Sequence, residues 1–154
     1  MAHHTATVVW ERSPGDPFTG NRFSRGHQWS FDGGLTVRAS SSPSVVPRFS
    51  DPAGVDPEEA FVASLSSCHM MTFLYLAAKR GLVVNRYEDT AEGELAKNES
   101  GRFWLSRVTL RPRIDWDGAV PEATTRDELH HLAHEECFIA NSVRTDVRCE
   151  PIEE

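Results

Sequence analysis

The chain has 154 residues, about the length of one domain and enough to bury a core. Its 16 Lys plus Arg stand against 23 Asp plus Glu, a formal net charge of -7, which argues against nucleic acid or an anionic membrane as partner and leaves small neutral or acyl substrates open. The start Met1-Ala2-His3-His4-Thr5 lacks the features of an export signal and no stretch approaches about 18 uncharged apolar residues, so a cytoplasmic protein is expected. Three cysteines, an odd number, argue against a disulfide framework and for free, metal-bound or redox-cycling thiols.

The opening segment Thr5-Ala6-Thr7-Val8-Val9-Trp10 is β-branched and aromatic, and residues 23–31 and 34–38 read as strands divided by Gly33-Gly34. An antiparallel sheet is expected there. Residues 39–55 are crowded with Ser, Pro and Gly and have no sustained apolar period, so they form a long loop leading into a helix. The helix start is strongly marked. Asp56 stands at the cap, Pro57 at the first helical position, and Glu59 three residues after the cap, as in a capping box. The helix should run to Lys79 or Arg80, where Gly81 supplies a left-handed stop. It is apolar nearly all round, which predicts burial on several sides.

Residues 83–97 and 102–116 alternate in strand fashion around Lys97-Asn98-Glu99-Ser100-Gly101, and so predict a second antiparallel pair. Thr125 with Glu128 marks a second helix start, and Leu129, Leu132, Ala133 and Cys137 share one side of that helix, with Cys137 in its final turn. Residues 142–149 read as a closing strand with Val143, Val147 and Cys149 on one face. Cys149 is taken as a packing residue. The whole is expected to be one domain spanning residues 1–154, with neither internal repeat nor low-complexity segment.

Two sequences carry a resemblance: Asp56-Pro57-Glu58-Glu59 with Cys68 ten residues after Glu58, and Cys137-Phe138-Ile139-Ala140-Asn141-Ser142 before the closing strand. On these the chain resembles the OsmC/Ohr family (osmotically inducible protein C, organic hydroperoxide resistance), over roughly residues 5–150. The resemblance implies an α+β, OsmC-like fold in which antiparallel sheets wrap long central helices in an intertwined homodimer, with active sites at the subunit interface. It implies a peroxidase with Cys68 as peroxidatic and Cys137 as resolving cysteine, and with Glu58 holding a catalytic Arg. Arg22 and Arg25 are the candidates for that Arg, and Arg25 is favoured. Its partners would be a small organic hydroperoxide and a dithiol reductant, in this family typically a lipoylated protein. Phe138 follows the second Cys where many members carry Pro, Asp56 replaces a frequent Asn, and His69 directly follows the first Cys.

The chemistry asks for these residue types. A mid-helix Cys gains little from the helix dipole, whereas an Arg stays charged when buried and can hold a thiolate and a carboxylate together. Ten residues of helix rise by about 15 Å, so Glu58 needs a bridging group or a second chain to act on Cys68. An apolar lining of Phe61, Leu65, Met71 and Phe73 would favour alkyl or acyl hydroperoxides.

His130 with His134, or His134 with Cys137, could share a helix face and bind zinc. With no Cys-x-x-Cys or His-Glu-x-x-His pattern, a solvated face that includes His131 is the plainer reading, and neither a metal nor a cofactor is expected. His134 could still tune Cys137. A second function class stays open beside the peroxidase: a non-catalytic OsmC-like dimer that binds a small hydrophobic ligand, or senses oxidants through the same cysteine pair.

Overall fold

The structure, a computed structural model, describes residues 1–152. The chain forms two compact units, one ending at Ala60 and the other beginning at Phe61.

The first unit is a three-stranded antiparallel sheet followed by a long turn-rich loop. β1 (Ala6–Val9) pairs with β2 (His27–Phe31), and β2 with β3 (Thr36–Ala39). The β2–β3 turn closes through two bonds between Phe31 and its neighbours, with Gly34 at φ 85°, a conformation that favours glycine. Residues 23–26, read as strand from the sequence, lie outside it. There the Arg25 N–H donates to Phe49 O and His27 Nδ1 meets Arg25 O, so the chain is pinned to the loop and to itself rather than to a ladder. The long loop returns to the sheet at a parallel bridge between Ala39 and Val55.

The loop ends in the capping box expected of the sequence. The Glu59 N–H donates to Asp56 Oδ1 at 2.7 Å and the Asp56 N–H donates to Glu59 Oε2 at 3.1 Å, which satisfies two donors that a helix start leaves free. This opens α1 (Pro57–Lys79). At its far end the Gly81 N–H donates to Ala78 O and the Leu82 N–H to Ala77 O, with Gly81 at φ 74°; the two bonds together make a Schellman stop.

In the second unit α1 buries one stripe, Leu65, His69, Phe73, Leu76 and Ala77, at spacings of three, four and one. It is not buried on several sides within this chain: Met71 and Tyr75 stay 60% and 61% exposed. By length and composition α1 could cross a membrane, but its buried stripe is that of a core helix. Phe73, Leu76 and Ala77 pack with Trp116, Leu129 and Ala133, while Leu65 packs with Val108 and Leu110 in a second cluster.

The expected strand pair is instead four strands in two sheets. β4 (Val84–Asp89) pairs antiparallel with β7 (Pro112–Trp116), and β5 (Glu92–Lys97) with β6 (Phe103–Leu110). Asp89 stands where they part. Its carboxylate accepts the Arg111 N–H and the Ser66 hydroxyl, replacing ladder bonds at that corner. The β5–β6 hairpin turns on Asn98, whose Oδ1 accepts the Ser100 and Arg102 N–H groups.

α2 (Ala123–Glu136) starts two residues before Thr125, whose N–H donates to Glu122 O inside the first turn. Thr125 and Glu128 therefore make no capping box. The final strand β8 (Asp146–Cys149) is shorter than the sequence suggests and runs parallel to β6, which makes that sheet mixed rather than wholly antiparallel. A short 3-10 turn, Ala140–Ser142, occupies the start of the stretch read as strand.

β5 crosses α1 closely at Gly93, where an added Cβ would stand 2.6 Å from Val62 Cγ2 and 3.2 Å from Leu105 Cδ2. Gly93→Ala should therefore lower stability by about 1–3 kcal/mol through overpacking. Urea unfolding checks this, and an unchanged midpoint would refute the close approach.

Candidate active site

Cys68 lies on α1 directly before buried His69, about 100° round the helix from the buried stripe, and is half-buried. Cys137 follows the last residue of α2 instead of lying in its final turn. Its extended backbone ends the helix and its N–H donates to His134 O. The Asn141 N–H and side-chain amide both donate to Cys137 O, fixing this corner. These two elements bring Cys68 close enough to Cys137 to raise the Cys137 thiol.

The Cys137 thiol is 1% exposed. Burial, then its hydrogen bond to Cys68, push it up to about 11, against the smaller opposing effect of the Ala140 and Ile139 N–H groups. Cys137 therefore keeps its proton at neutral pH.

In the first unit Arg25 has a well-defined seat. Its guanidinium donates to Phe23 O at 2.6 Å and Asn21 O at 3.4 Å and lies 3.6 Å from the Phe23 ring centroid, a geometry that suits a planar cation. Phe23 is itself stacked on Phe18 and met edge-on by Trp10. Glu58 is half-buried in the first turn of α1. Because Glu59 does the capping, the Glu58 carboxylate has no part in it. Among the described residues, no ion pair joins Glu58 to Arg22 or Arg25.

The expected apolar lining does not form one surface. Leu65 and Phe73 are sealed in different clusters, Phe61 packs beside the Leu65 cluster, and Met71 is exposed. An i, i+4 or i, i+10 spacing on a nearly all-apolar helix does not say which face each residue takes.

A second polar group was not legible in the sequence. His69 Nε2 lies 3.1 Å from His130 Nδ1, and Cys149 Sγ lies 3.7 Å from the first and 3.5 Å from the second. Cys149 is thus not merely a packing residue. Nor do His130 and His134 work as a pair on one face: His130 is buried and turned to His69, while His134 is exposed and its electrostatic influence falls on His69. His131 pairs with Glu135 at 3.4 Å. Burial lowers both His69 and His130 to about 4, helped by His134 at His69 and by His69 and Arg126 at His130, so both rings are neutral at pH 7. Cys149 is pushed up to about 12 by burial and by Asp89 and Glu150. The only sequence hint was His69 itself, a polar ring on an otherwise apolar stripe.

Thiolate, not thiol, reacts with alkylating agents, so iodoacetamide at pH 7.5 should label Cys68 well before Cys137 or Cys149. Labelling of Cys137 should accelerate only as the pH climbs toward 11. Peptide mass spectrometry over a pH series reads this, and equal rates for Cys68 and Cys137 at pH 7.5 would refute the raised Cys137 thiol.

The sequence profile described as OsmC-like protein matches residues 50–151. The fold is similar to an OsmC-like protein of unknown function from Vibrio cholerae O1 biovar eltor, at 51% identity and TM-score 0.96 over 99% of this chain and 100% of that one. It is also similar to the organic hydroperoxide resistance protein OhrB of Bacillus subtilis, at 21% identity and TM-score 0.70 over 98% of each chain. A third similar structure is an organic hydroperoxide resistance protein OsmC from Legionella pneumophila, at 18% identity and TM-score 0.73 over 99% of this chain and 98% of that one. No curated protein matches the sequence. The profile match and the half-identical Vibrio structure agree with the cysteine-bearing helices described above: the chain belongs to the OsmC-like protein family.

Proposed function

We propose that this protein is a cytoplasmic, thiol-dependent peroxidase that reduces organic hydroperoxides. The observation that carries the reading is the nearness of the Cys68 thiol on α1 to the buried Cys137 thiol at the end of α2, close enough to raise it. Structures of similar fold that are named organic hydroperoxide resistance proteins support the substrate class.

The Cys68 thiolate attacks the distal peroxide oxygen, the O–O bond breaks, and the alkoxide leaves as alcohol after taking a proton. Cys68 is left as a sulfenic acid. The Cys137 sulfur then displaces water from it, forming a Cys68–Cys137 disulfide and preventing over-oxidation. A dithiol, typically on a lipoylated protein in this family, restores both thiols. Arg25 is assigned as the cation that holds the thiolate and Glu58 as the carboxylate that positions Arg25. The planar seat of the Arg25 guanidinium and the freedom of Glu58 from capping favour this choice over Arg22.

The working form is taken to be the intertwined homodimer. Such an assembly would cover the α1 face that carries Met71 and Tyr75, which this chain leaves exposed. Gel filtration should give a dimer, and a stable monomer counts against an interface site.

Turnover of cumene hydroperoxide with dihydrolipoamide is the decisive assay. Cys68→Ser should abolish it. Cys137→Ser should react once and then drift to sulfinic acid, seen as added oxygen mass. Arg25→Ala should lower kcat/KM by about 10²–10³-fold, the scale of losing one preorganised donor, while Arg22→Ala should leave it near wild type. One disulfide per chain without turnover would instead favour an oxidant sensor.

A further inference from the structure

The polar group formed by His69, His130 and Cys149 plays no part in the peroxide chemistry above. It joins three elements: His69 comes from α1, His130 from α2 and Cys149 from β8. Both imidazoles are buried and Cys149 is half-buried, all within the second unit.

The geometry points to a zinc-binding site formed by His69 Nε2, His130 Nδ1 and Cys149 Sγ, separate from the Cys68–Cys137 pair and independent of the peroxidase reading. Zinc bonds of about 2.0–2.1 Å to nitrogen and about 2.3 Å to sulfur, at tetrahedral angles, require ligand atoms about 3.3 Å apart for two nitrogens and about 3.6 Å apart for nitrogen and sulfur. The three separations here are 3.1, 3.7 and 3.5 Å.

The surroundings suit a cation. Both rings are buried beside the half-buried thiol, so the three donors face one another and not bulk water. Asp89 and Glu150 stand near Cys149 as negative charges that would offset a divalent ion. The buried Tyr87 hydroxyl has no hydrogen-bond partner among the described residues and lies within the electrostatic reach of Cys149, where it could meet a water in the fourth position. An open cavity lined by His130 and Cys149, with Asp127, His131 and His134, gives an ion a route in.

The proton count closes. The two rings lie within 8° of parallel with centroids 5.4 Å apart, so with nitrogens 3.1 Å apart they meet end to end through one N–H···N bond. On binding, that proton moves to the other nitrogen of its own ring, each ring turns toward the sulfur, and Cys149 releases its proton. One zinc ion enters and one proton leaves per chain.

Metal-free protein titrated with zinc against a chromophoric chelator, and with cobalt(II) as a spectroscopic substitute, tests the site. One ion per chain is expected, with a thiolate-to-cobalt charge-transfer band and the intense visible bands of four-coordinate cobalt. Both should persist in the Cys68→Ser/Cys137→Ser double variant, whereas Cys149→Ser should lose the charge-transfer band. His130→Gln should weaken zinc by more than the roughly 10–100-fold that losing an outer partner costs. Zinc-edge X-ray absorption of the double variant should show one sulfur and two imidazole nitrogens, a readout that stands even where the ligand variants fail to fold. No binding, or a charge-transfer band that survives Cys149→Ser and disappears in the double variant, overturns the proposal.

Discussion

The arrangement of this molecule depends on which stripe of α1 is buried. Leu65, His69, Phe73, Leu76 and Ala77 face the interior of the second unit, and a helix turns about 100° per residue. That leaves Cys68 on the flank of the stripe, half-buried rather than sealed. A one-residue shift of the helix would put the thiol in the core and His69 at its edge. The capping box at one end and the Schellman stop at the other fix where the helix begins and ends, and the close approach of Gly93 to Val62 fixes how near β5 can come. Local signals and tertiary contact thus agree on one register.

The electrostatics of the cysteine pair follow from the same placement. Cys137 lies past the end of α2, where the helix no longer supplies regular partners, yet it is almost wholly buried. Desolvation would hold its proton very firmly were it alone. The N–H groups of Ala140 and Ile139 act the other way, since a charged sulfur gains from donors aimed at it. The 3-10 turn after the cysteine delivers those donors, and the Asn141 side chain holds the turn shut through Glu135 O and Cys137 O. In the proposed reaction such a sulfur is a reluctant nucleophile until Cys68 is oxidised.

Much of this was legible in the sequence, and the reasons for success and failure are physical. Asp56, Pro57, Glu59 and Gly81 act over one helical turn, so their pattern in the chain reports their function directly. The Asn98 to Gly101 turn is equally local, and the cysteine pair was singled out through a family resemblance carried by short motifs. What failed was long-range. The split of one expected strand pair into two sheets depends on the Asp89 carboxylate reaching Arg111 and Ser66, contacts across 22 and 23 residues that no alternation reveals. The start of α2 failed for a local reason: Thr125 and Glu128 have capping spacing, but Glu122 already accepts the first helical bonds. The His69 group was invisible because its members are 61 and 80 residues apart, far beyond any ligand spacing written into a motif.

The three cysteines show how the surroundings of a sulfur decide its role. Burial raises both Cys137 and Cys149, yet Cys137 has backbone donors and a neighbouring thiol where Cys149 has two neutral imidazoles and nearby carboxylates. A thiolate at Cys149 would face like charge from Asp89 and Glu150, and in a metal-free core its proton stays put. The two imidazoles satisfy each other through a single shared hydrogen bond, which removes most of the penalty of burying them beside Phe73. An apolar trio of the same volume would pack there without any such requirement. A polar group that needs every member placed to within a few tenths of an ångström holds α1, α2 and β8 to one relative position, and that position is the one that brings Cys137 to Cys68.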